Sequence, residues 1–138
     1  MDDAVRRALE ISPDAPGAAR TVDITTTGAK TGRQIRIEIW FYRIGDEYYL
    51  ARTPGLPRPN WLANLIANPE FLFHLKNGVQ ADLTAIAHPV SDPAERERVF
   101  TEVVAQLNSP SNPAGLKKPA QPVEEWVSSS PLVRIEFV

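Results

Sequence analysis

A short stretch of the chain combines positive charge, hydroxyl groups and glycine in a way that suits anion binding. Lys30, Arg33 and Arg36 place three cations in seven residues with no acid among them, and their repulsion is unfavourable unless water or an anion compensates it. Gly28 and Gly32 flank the lysine, and consecutive backbone N–H groups in such a turn can form an anion-binding concavity. The segment predicts a site for a compact anion, and an ordinary solvated hairpin turn is the alternative.

A second candidate is a helix predicted near the middle of the chain, because asparagines recur along one side of it. Asn60, Asn64 and Asn68 are four residues apart. Asn60 is placed to be the N-cap, and Asn64 lies in the helix interior, where asparagine is a poor helix former. We therefore expect the Asn64 side chain to bond a neighbouring loop or a ligand. Trp61 lies on the same side, where a core anchor is the alternative to a ligand contact.

The side-chain sets of common hydrolases and metalloenzymes are absent from the sequence. There is no cysteine, and the only histidines are His74 and His88. Neither has a second histidine at metal-ligand spacing, so we predict no metal site. The chain also lacks a Gly-x-Ser-x-Gly elbow and a Walker-type phosphate loop.

Alternating apolar residues predict about six strands joined as hairpins. The clearest runs from Gln34, with Ile35, Ile37, Ile39 and Phe41 expected to point inward. Asn77-Gly78 is the strongest short hairpin signal. The predicted strands are Thr21–Thr27, Gln34–Phe41, Tyr48–Arg52, Glu70–Lys76, Val79–Ala87 and Leu132–Val138.

Two or three helices accompany these strands. They are predicted at Asp3–Ile11, at Asn60–Asn68 and after Asp92, which is followed by proline and then by an acid at the third helical position. Residues Asn108 to Gln121 are predicted to be a long loop. Because closure removes exposed strand edges, we expect one mainly β (α+β) domain over residues 1–138, a small antiparallel split β-barrel.

The net charge and its distribution along the chain limit the class of ligand that the protein is expected to bind. The net charge is −2, which argues against a nucleic-acid surface. Between Arg20 and Arg58, however, seven cations face four anions, and a cationic patch on an acidic body suits a compact anionic ligand. No apolar run follows the N-terminus or reaches the length of a bilayer span, so a cytoplasmic protein is expected.

Three motifs in series carry a family resemblance. They are Thr-Thr-Gly-Ala-Lys-Thr-Gly at 26–32, Arg-Ile-Glu-Ile-Trp-Phe at 36–41, and Asn-Trp-Leu-Ala-Asn-Leu-Ile-Ala-Asn-Pro at 60–69. In order and spacing they resemble the deazaflavin-dependent nitroreductase and quinone reductase family, one of the split β-barrel flavin and deazaflavin reductases. The similarity runs from about Thr21 to Val104, with a weaker match at the last strand.

The resemblance implies a phosphate-bearing cofactor, the deazaflavin coenzyme F-420 first and FMN second. It implies that Lys30, Thr31 and Gly32 grip the phosphate or acidic tail of that cofactor. Arg33 and Arg36 would assist, since arginine can bind phosphate or carboxylate through two parallel hydrogen bonds.

The same resemblance places the ring system at the end of the third strand. Ala51, Arg52 and Thr53 would lie along the rings, while Trp61 and Asn64 would support that wall or touch the cofactor.

The sequence departs from the family pattern at three places. Many relatives carry Pro-Arg where this chain has Gln34-Ile35, and some carry lysine at Thr53, for which Arg52 would substitute. After Ala105 the chain has no tyrosine, only Trp126, so activity on nitroimidazole prodrugs is not expected.

The implied reaction is hydride transfer from the reduced cofactor to a quinone, enone or nitro acceptor. The cofactor would carry the chemistry, with Tyr49, Tyr42 or solvent supplying the proton. Two alternatives stay open: a flavin, deazaflavin or tetrapyrrole carrier without turnover, and an interaction module whose cations meet an acidic protein. A homodimer is also expected, because small open barrels often cover an edge with a second subunit.

Overall fold

Six antiparallel strands form a closed ring with five helices packed around it, in a computed structural model that describes residues 1–138. The strands are β1 (Thr21–Thr27), β2 (Gln34–Ile44), β3 (Glu47–Ala51), β4 (Glu70–Leu75), β5 (Ala81–Pro89) and β6 (Leu132–Phe137). The helices are α1 (Asp3–Leu9), α2 (Gly17–Arg20), α3 (Asn60–Ala67), α4 (Pro93–Leu107) and α5 (Val123–Ser129).

The strand order around the ring is β1-β2-β3-β6-β5-β4, and pairing of β4 with β1 closes it. Three of the pairs, β1–β2, β2–β3 and β4–β5, are hairpins between consecutive strands, as the sequence predicted. Every strand has two neighbours, but residues 34–40 of β2 pair only with β1 and residues 41–44 only with β3. The predicted mainly β split-barrel class is therefore confirmed.

The interior of the barrel is apolar because alternate residues of each strand point inward. Ile24, Phe41 and Phe73 are fully buried there, and the two phenyl rings meet edge to face with their centroids 5.4 Å apart. Leu9 of α1 and Leu65 of α3 join the same core.

A second apolar cluster lies outside the barrel, where α4 and α5 cover β2, β3 and β6. Tyr42 and Tyr49 contribute to it from the strands, and Phe100 and Trp126 from the helices. The ring centroids of Phe100 and Trp126 are 5.6 Å apart. The second half of β2 is consequently buried on both faces, whereas the alternating sequence predicts one buried face.

The first half of β2 differs from the prediction in the opposite direction. Ile35 was expected to point into the core but is 41% exposed, and Ile37 and Ile39 are only partly buried. Complete burial on this face begins at Phe41. Ile35 and Ile37 instead line a cavity beside α3.

Of the two predicted helix N-caps, one is confirmed and one is wrong. The Asp92 carboxylate accepts a hydrogen bond from the Glu95 backbone N–H at 2.9 Å, as the predicted cap requires. Asn60 is not an N-cap: Pro59 holds that position without a side-chain bond, and Asn60 is the first helical residue. Helices α2 and α5 were not predicted, and neither has a side-chain N-cap. None of the five helices is long and apolar enough to cross a bilayer.

Candidate functional site

The turn between β1 and β2 is held against α3 by one buried side chain. The Asn64 carboxamide oxygen accepts from the Ala29 backbone N–H at 2.9 Å, and its amide nitrogen donates to the Thr26 hydroxyl at 3.1 Å. Asn64 is only 6% exposed. The expectation that a mid-helix asparagine bonds a neighbouring loop is confirmed. The loop is the β1–β2 turn, residues 28–33, which we call the cationic turn.

Backbone hydrogen bonds within this turn leave two donors free. Gly28 N–H donates to the Arg33 carbonyl and Gly32 N–H donates to the Gly28 carbonyl. The N–H groups of Lys30 and Thr31 make no hydrogen bond within the chain. The concavity that the sequence suggests is thus reduced to two adjacent N–H groups at the tip of the turn, beside the Lys30 side chain.

The three cations of the turn region do not share one environment. Lys30 and Arg33 are exposed, and neither forms an ion pair with a carboxylate. Arg36 is different, because its guanidinium donates to the Asp23 carboxylate at 2.9 Å across the β1–β2 pair. The charge of Arg36 is therefore compensated within the chain, whereas Lys30 and Arg33 have no carboxylate partner.

Asp23 belongs to an ion network on the outer face of β1, β2 and β4. Its second carboxylate oxygen accepts from Lys76 at 2.7 Å, and Lys76 also contacts Glu38. The hydrogen bond from Lys76, followed by that from Arg36, holds the pKa of the Asp23 carboxyl below its usual value. The same bonds raise the pKa of the Lys76 ammonium group.

A cavity of about 420 Å³ lies between the start of β2 and α3, and we call it the α3 cavity. No carboxylate lines it, and its two cations are Arg52 and Arg58. Arg52 donates to the Pro57 carbonyl at 3.0 Å. Trp61 is a core residue, 8% exposed, so the core-anchor alternative is confirmed, although the ring also lines this cavity. Its full lining is Thr26, Ile35, Ile37, Arg52, Pro57, Arg58, Pro59, Asn60, Trp61 and Asn64.

A larger cavity of about 860 Å³ lies against the outer face of β2 and β3, and we call it the outer cavity. Its floor is the end of β3 and its far wall is the loop before α5. Arg52 lines both cavities, so they are neighbours. The lining residues are Trp40, Tyr42, Ala51, Arg52, Thr53, Leu107, Ala114, Leu116, Lys117, Lys118, Pro119, Ala120, Gln121, Pro122 and Trp126. This volume is typical of pockets for cofactors and small ligands.

Of the two tyrosines considered as proton donors, the structure brings one to the cavity. Tyr42 lines the outer cavity, and burial raises its pKa to about 12, although the nearby Arg20 guanidinium acts in the opposite direction. Tyr49 is fully buried, its hydroxyl donates to Glu95 at 3.3 Å, and it does not line the cavity. Burial also raises the pKa of Tyr49.

The predicted binding residues therefore fall into groups. Ala51, Arg52 and Thr53 line the outer cavity, while Arg52, Trp61 and Asn64 line the α3 cavity. Lys30, Thr31, Gly32 and Arg33 form the turn that Asn64 attaches to α3. Arg36 lines neither cavity, and its guanidinium is paired with Asp23.

Sequence reasoning missed the residues that enclose the outer cavity. The alternation of β2 places Trp40 on the face opposite Ile39 and Phe41, and Lys117 and Lys118 lie in the predicted long loop with no role assigned to them. The only available signal was the lysine doublet itself, since it lies in a stretch otherwise without charge between Asn108 and Gln121.

Comparison with known proteins gives a family and a fold. The family model described as F420H(2)-dependent quinone reductase matches residues 6–114. A protein of that description from Mycobacterium tuberculosis is 38% identical over 74 residues, which are 51% of this chain and 50% of the relative. The chain spans about half the length of the curated relatives it matches.

Solved structures agree on the barrel. An FAD-binding protein from Mesorhizobium loti has a TM-score of 0.62 at 12% identity and covers all of this chain, which covers 91% of it. An F420-H2 dependent reductase has a TM-score of 0.54 at 20% identity, over 85% of this chain and 94% of its own. Such low identities establish the fold alone. Since the family model extends over most of the sequence, the chain belongs to the F420H(2)-dependent quinone reductase family.

Proposed function

We propose that the chain binds coenzyme F-420 and catalyses hydride transfer from its reduced form to a quinone or a similar small acceptor. The observation that carries the proposal is a pair of adjoining cavities lined by four cations and no carboxylate. The repulsion between these positive charges is unfavourable without a compensating anion, so the two cavities together suit a planar ligand with an acidic tail. Family membership supports coenzyme F-420 ahead of FMN.

The acidic tail of the cofactor fits the cationic turn and the α3 cavity. Lys30 and Arg33 have no carboxylate partner, and the free N–H groups of Lys30 and Thr31 lie between them. Gly32 gives the turn its shape, and Arg58 adds a further cation on the α3 side. Arg36 is not part of the proposed site, because its guanidinium is already paired with Asp23.

The ring system fits the outer cavity along the end of β3. Ala51, Arg52 and Thr53 form its floor, and Arg52 connects that floor to the α3 cavity. Trp61 and Asn64 contribute from α3, where they fix the wall and the turn.

When bound, the reduced deazaflavin would supply a hydride, which together with one proton converts a quinone into its hydroquinone. The chain's own residues bind, orient and partly desolvate the reactants. Tyr42 is protonated at neutral pH, as any tyrosine is, and burial raises its pKa further to about 12, so its hydroxyl is available as a hydrogen-bond donor at the outer cavity.

The direct test is to titrate purified protein with reduced coenzyme F-420 and, separately, with reduced FMN, and then to add quinones. Saturable binding of coenzyme F-420 with acceptor-dependent oxidation supports the proposal. Binding without faster oxidation favours a carrier, and no binding of either cofactor favours an interaction module.

Lys30→Ala tests where the tail binds. Loss of a charge-assisted hydrogen bond is expected to weaken binding of coenzyme F-420 by about 1.5–3 kcal/mol. Arg7→Ala is the charge-matched control, since Arg7 is an exposed residue of α1. Unchanged affinity in Lys30→Ala would place the anion site elsewhere.

The assembly state and the cellular location are further proposals. We keep the predicted homodimer, in which a second subunit would cover the part of β2 that pairs on one side only or pack on a face of the barrel. Light scattering after size exclusion gives the molecular mass, and a monomer would refute the dimer.

A cytoplasmic location stays a prediction, checked by cell fractionation.

A further inference from the structure

The loop that closes the outer cavity has a shape fixed by its own side chains. Asn112 accepts from the Leu116 N–H at 2.8 Å and donates to the Leu116 carbonyl at 3.0 Å. Asn108 accepts from the Ala120 N–H at 2.8 Å. Lys117 and Lys118 lie between the two anchored residues, so their backbone is held over the cavity.

The opposite end of this loop is fixed to the aromatic wall. Trp126 donates from its indole nitrogen to the Gln121 carbonyl at 3.2 Å, and Trp126 and Trp40 both line the cavity. Ala114, Leu116 and Pro119 add further apolar surface. The lining of the cavity is therefore mainly apolar, and its charged residues are Arg52, Lys117 and Lys118.

That charge is uniformly positive and lacks partners within the chain. Lys117 and Lys118 form no ion pair, whereas the remaining lysine outside the cationic turn, Lys76, contacts two carboxylates. No acid lines the outer cavity. Because both lysines line the same cavity, an anion bound there is stabilised by two positive charges.

We propose that Lys117 and Lys118 bind an acidic substituent on the acceptor, so that this protein prefers planar aromatic acceptors that carry a sulfonate or carboxylate. The acceptor ring packs between the apolar walls, and the substituent reaches the lysine pair at the mouth. The acceptor role rests on the proposed function, whereas the binding preference is a property of the cavity and can be measured without cofactor.

The test uses two anthraquinones of similar size and the cofactor-free protein. Anthraquinone-2-sulfonate carries the anion and 2-(hydroxymethyl)anthraquinone does not. Quenching of tryptophan fluorescence reports binding, because two of the three tryptophans line the cavity. We expect the sulfonate to bind about five- to tenfold more tightly, the range for a pair of exposed charge contacts. Raising the ionic strength should reduce this preference.

The variants separate the lysine pair from the cationic turn. The double variant Lys117→Gln with Lys118→Gln should lose the preference for the sulfonate and keep its affinity for the neutral compound. Lys30→Gln is the matched control and should keep the preference, because Lys30 does not line the cavity. If the double variant failed to fold, the two single variants and the salt dependence of the wild type would decide.

Two results would overturn the proposal. One is equal affinity of the wild type for both compounds, or an unchanged preference in the double variant. The other is a double variant that loses coenzyme F-420 while still preferring the sulfonate, which would assign the lysines to the cofactor tail. A wild type that prefers the sulfonate but never binds coenzyme F-420 would refute the proposed function and leave this site intact.

Discussion

Asn64 connects helix α3 to the β1–β2 hairpin through one carboxamide. Its oxygen and its nitrogen both reach residues of the β1–β2 hairpin, while its backbone belongs to α3. The sequence indicated this role, because an asparagine inside a helix requires an external partner. It did not indicate which partner, since Ala29 is 35 residues away.

Asn64→Ala is expected to lower the free energy of unfolding by about 1–3 kcal/mol. The substitution leaves the buried Thr26 hydroxyl and the partly buried Ala29 N–H without this partner. Urea denaturation measures the change. Asn60→Ala is the control, because that side chain is exposed at the start of the same helix, and its effect should stay within about 0.5 kcal/mol. Equal effects in both variants would contradict the bridging role.

At the scale of an element, the β1–β2 turn combines shape and charge. Gly32 has a φ of +68°, in the left-handed region that disfavours side chains, and a Cβ there would meet no atom within 4 Å. Any cost of adding a methyl group is therefore conformational and not steric.

Gly32→Ala is expected to destabilise the fold by about 1 kcal/mol and to weaken cofactor binding as well. Gly45→Ala is a matched control, because Gly45 has a φ of +61°, also has open space, and lies in the turn between β2 and β3. Thermal denaturation should show similar losses in both variants. Cofactor titration should show a change in Gly32→Ala alone, and equal affinities would remove the turn from the site.

The outer ion network of β1, β2 and β4 gives a pH-dependent contribution to stability. Because the folded-state pKa of Asp23 lies below its usual value of 3.8, its contribution is complete above that pH and is lost as the pH falls through the folded-state pKa. We expect Asp23→Asn to be less stable than wild type at pH 7, with the difference shrinking below pH 3.8.

Denaturation of both proteins as a function of pH checks this expectation. Glu70→Gln is the control, because Glu70 is an exposed β4 residue without an ion pair. A difference between Asp23→Asn and wild type that is constant from pH 7 to pH 3 would show that charge pairing is not its cause.

Local sequence patterns predicted where strands and helices lie better than they predicted which residues contact them. β1 was predicted with its observed bounds, and β2 from its first residue, since alternation is a property of neighbouring residues. Helices α2 and α5 have only four and seven residues and no side-chain cap, so the capping signal that predicted α4 is missing from both. The pairing of Arg36 with Asp23 follows from strand register, which the sequence alone does not specify fully.

At the scale of the whole molecule, the walls of the outer cavity come from distant parts of the chain. Gly17 of α2 packs so closely that an added Cβ would lie 2.7 Å from the Trp40 ring and 3.0 Å from the Pro113 carbonyl. The prediction of a long loop after α4 was correct, but its docking onto the barrel depends on such contacts. No local signal in the sequence specifies them.

Gly17→Ala is expected to cost about 1–3 kcal/mol of stability through overpacking and to weaken binding of planar aromatic ligands, because Trp40 or the loop must move. Urea denaturation and fluorescence quenching by an anthraquinone measure the two effects. Ala19→Ser adds one atom to an exposed neighbour and should change neither. If Gly17→Ala matched the wild type in both measurements, Trp40 and the loop would be able to move at little cost.

The meeting of residues 17, 40 and 113 at one contact has a consequence for the order of events during synthesis. A growing chain that has completed only its first strands cannot yet possess the outer cavity, since the segment that covers it follows β5 and α4 in the sequence. A ligand of this cavity would therefore not bind chains that lack this segment, and it would act only on molecules that contain it, by shifting them away from unfolding.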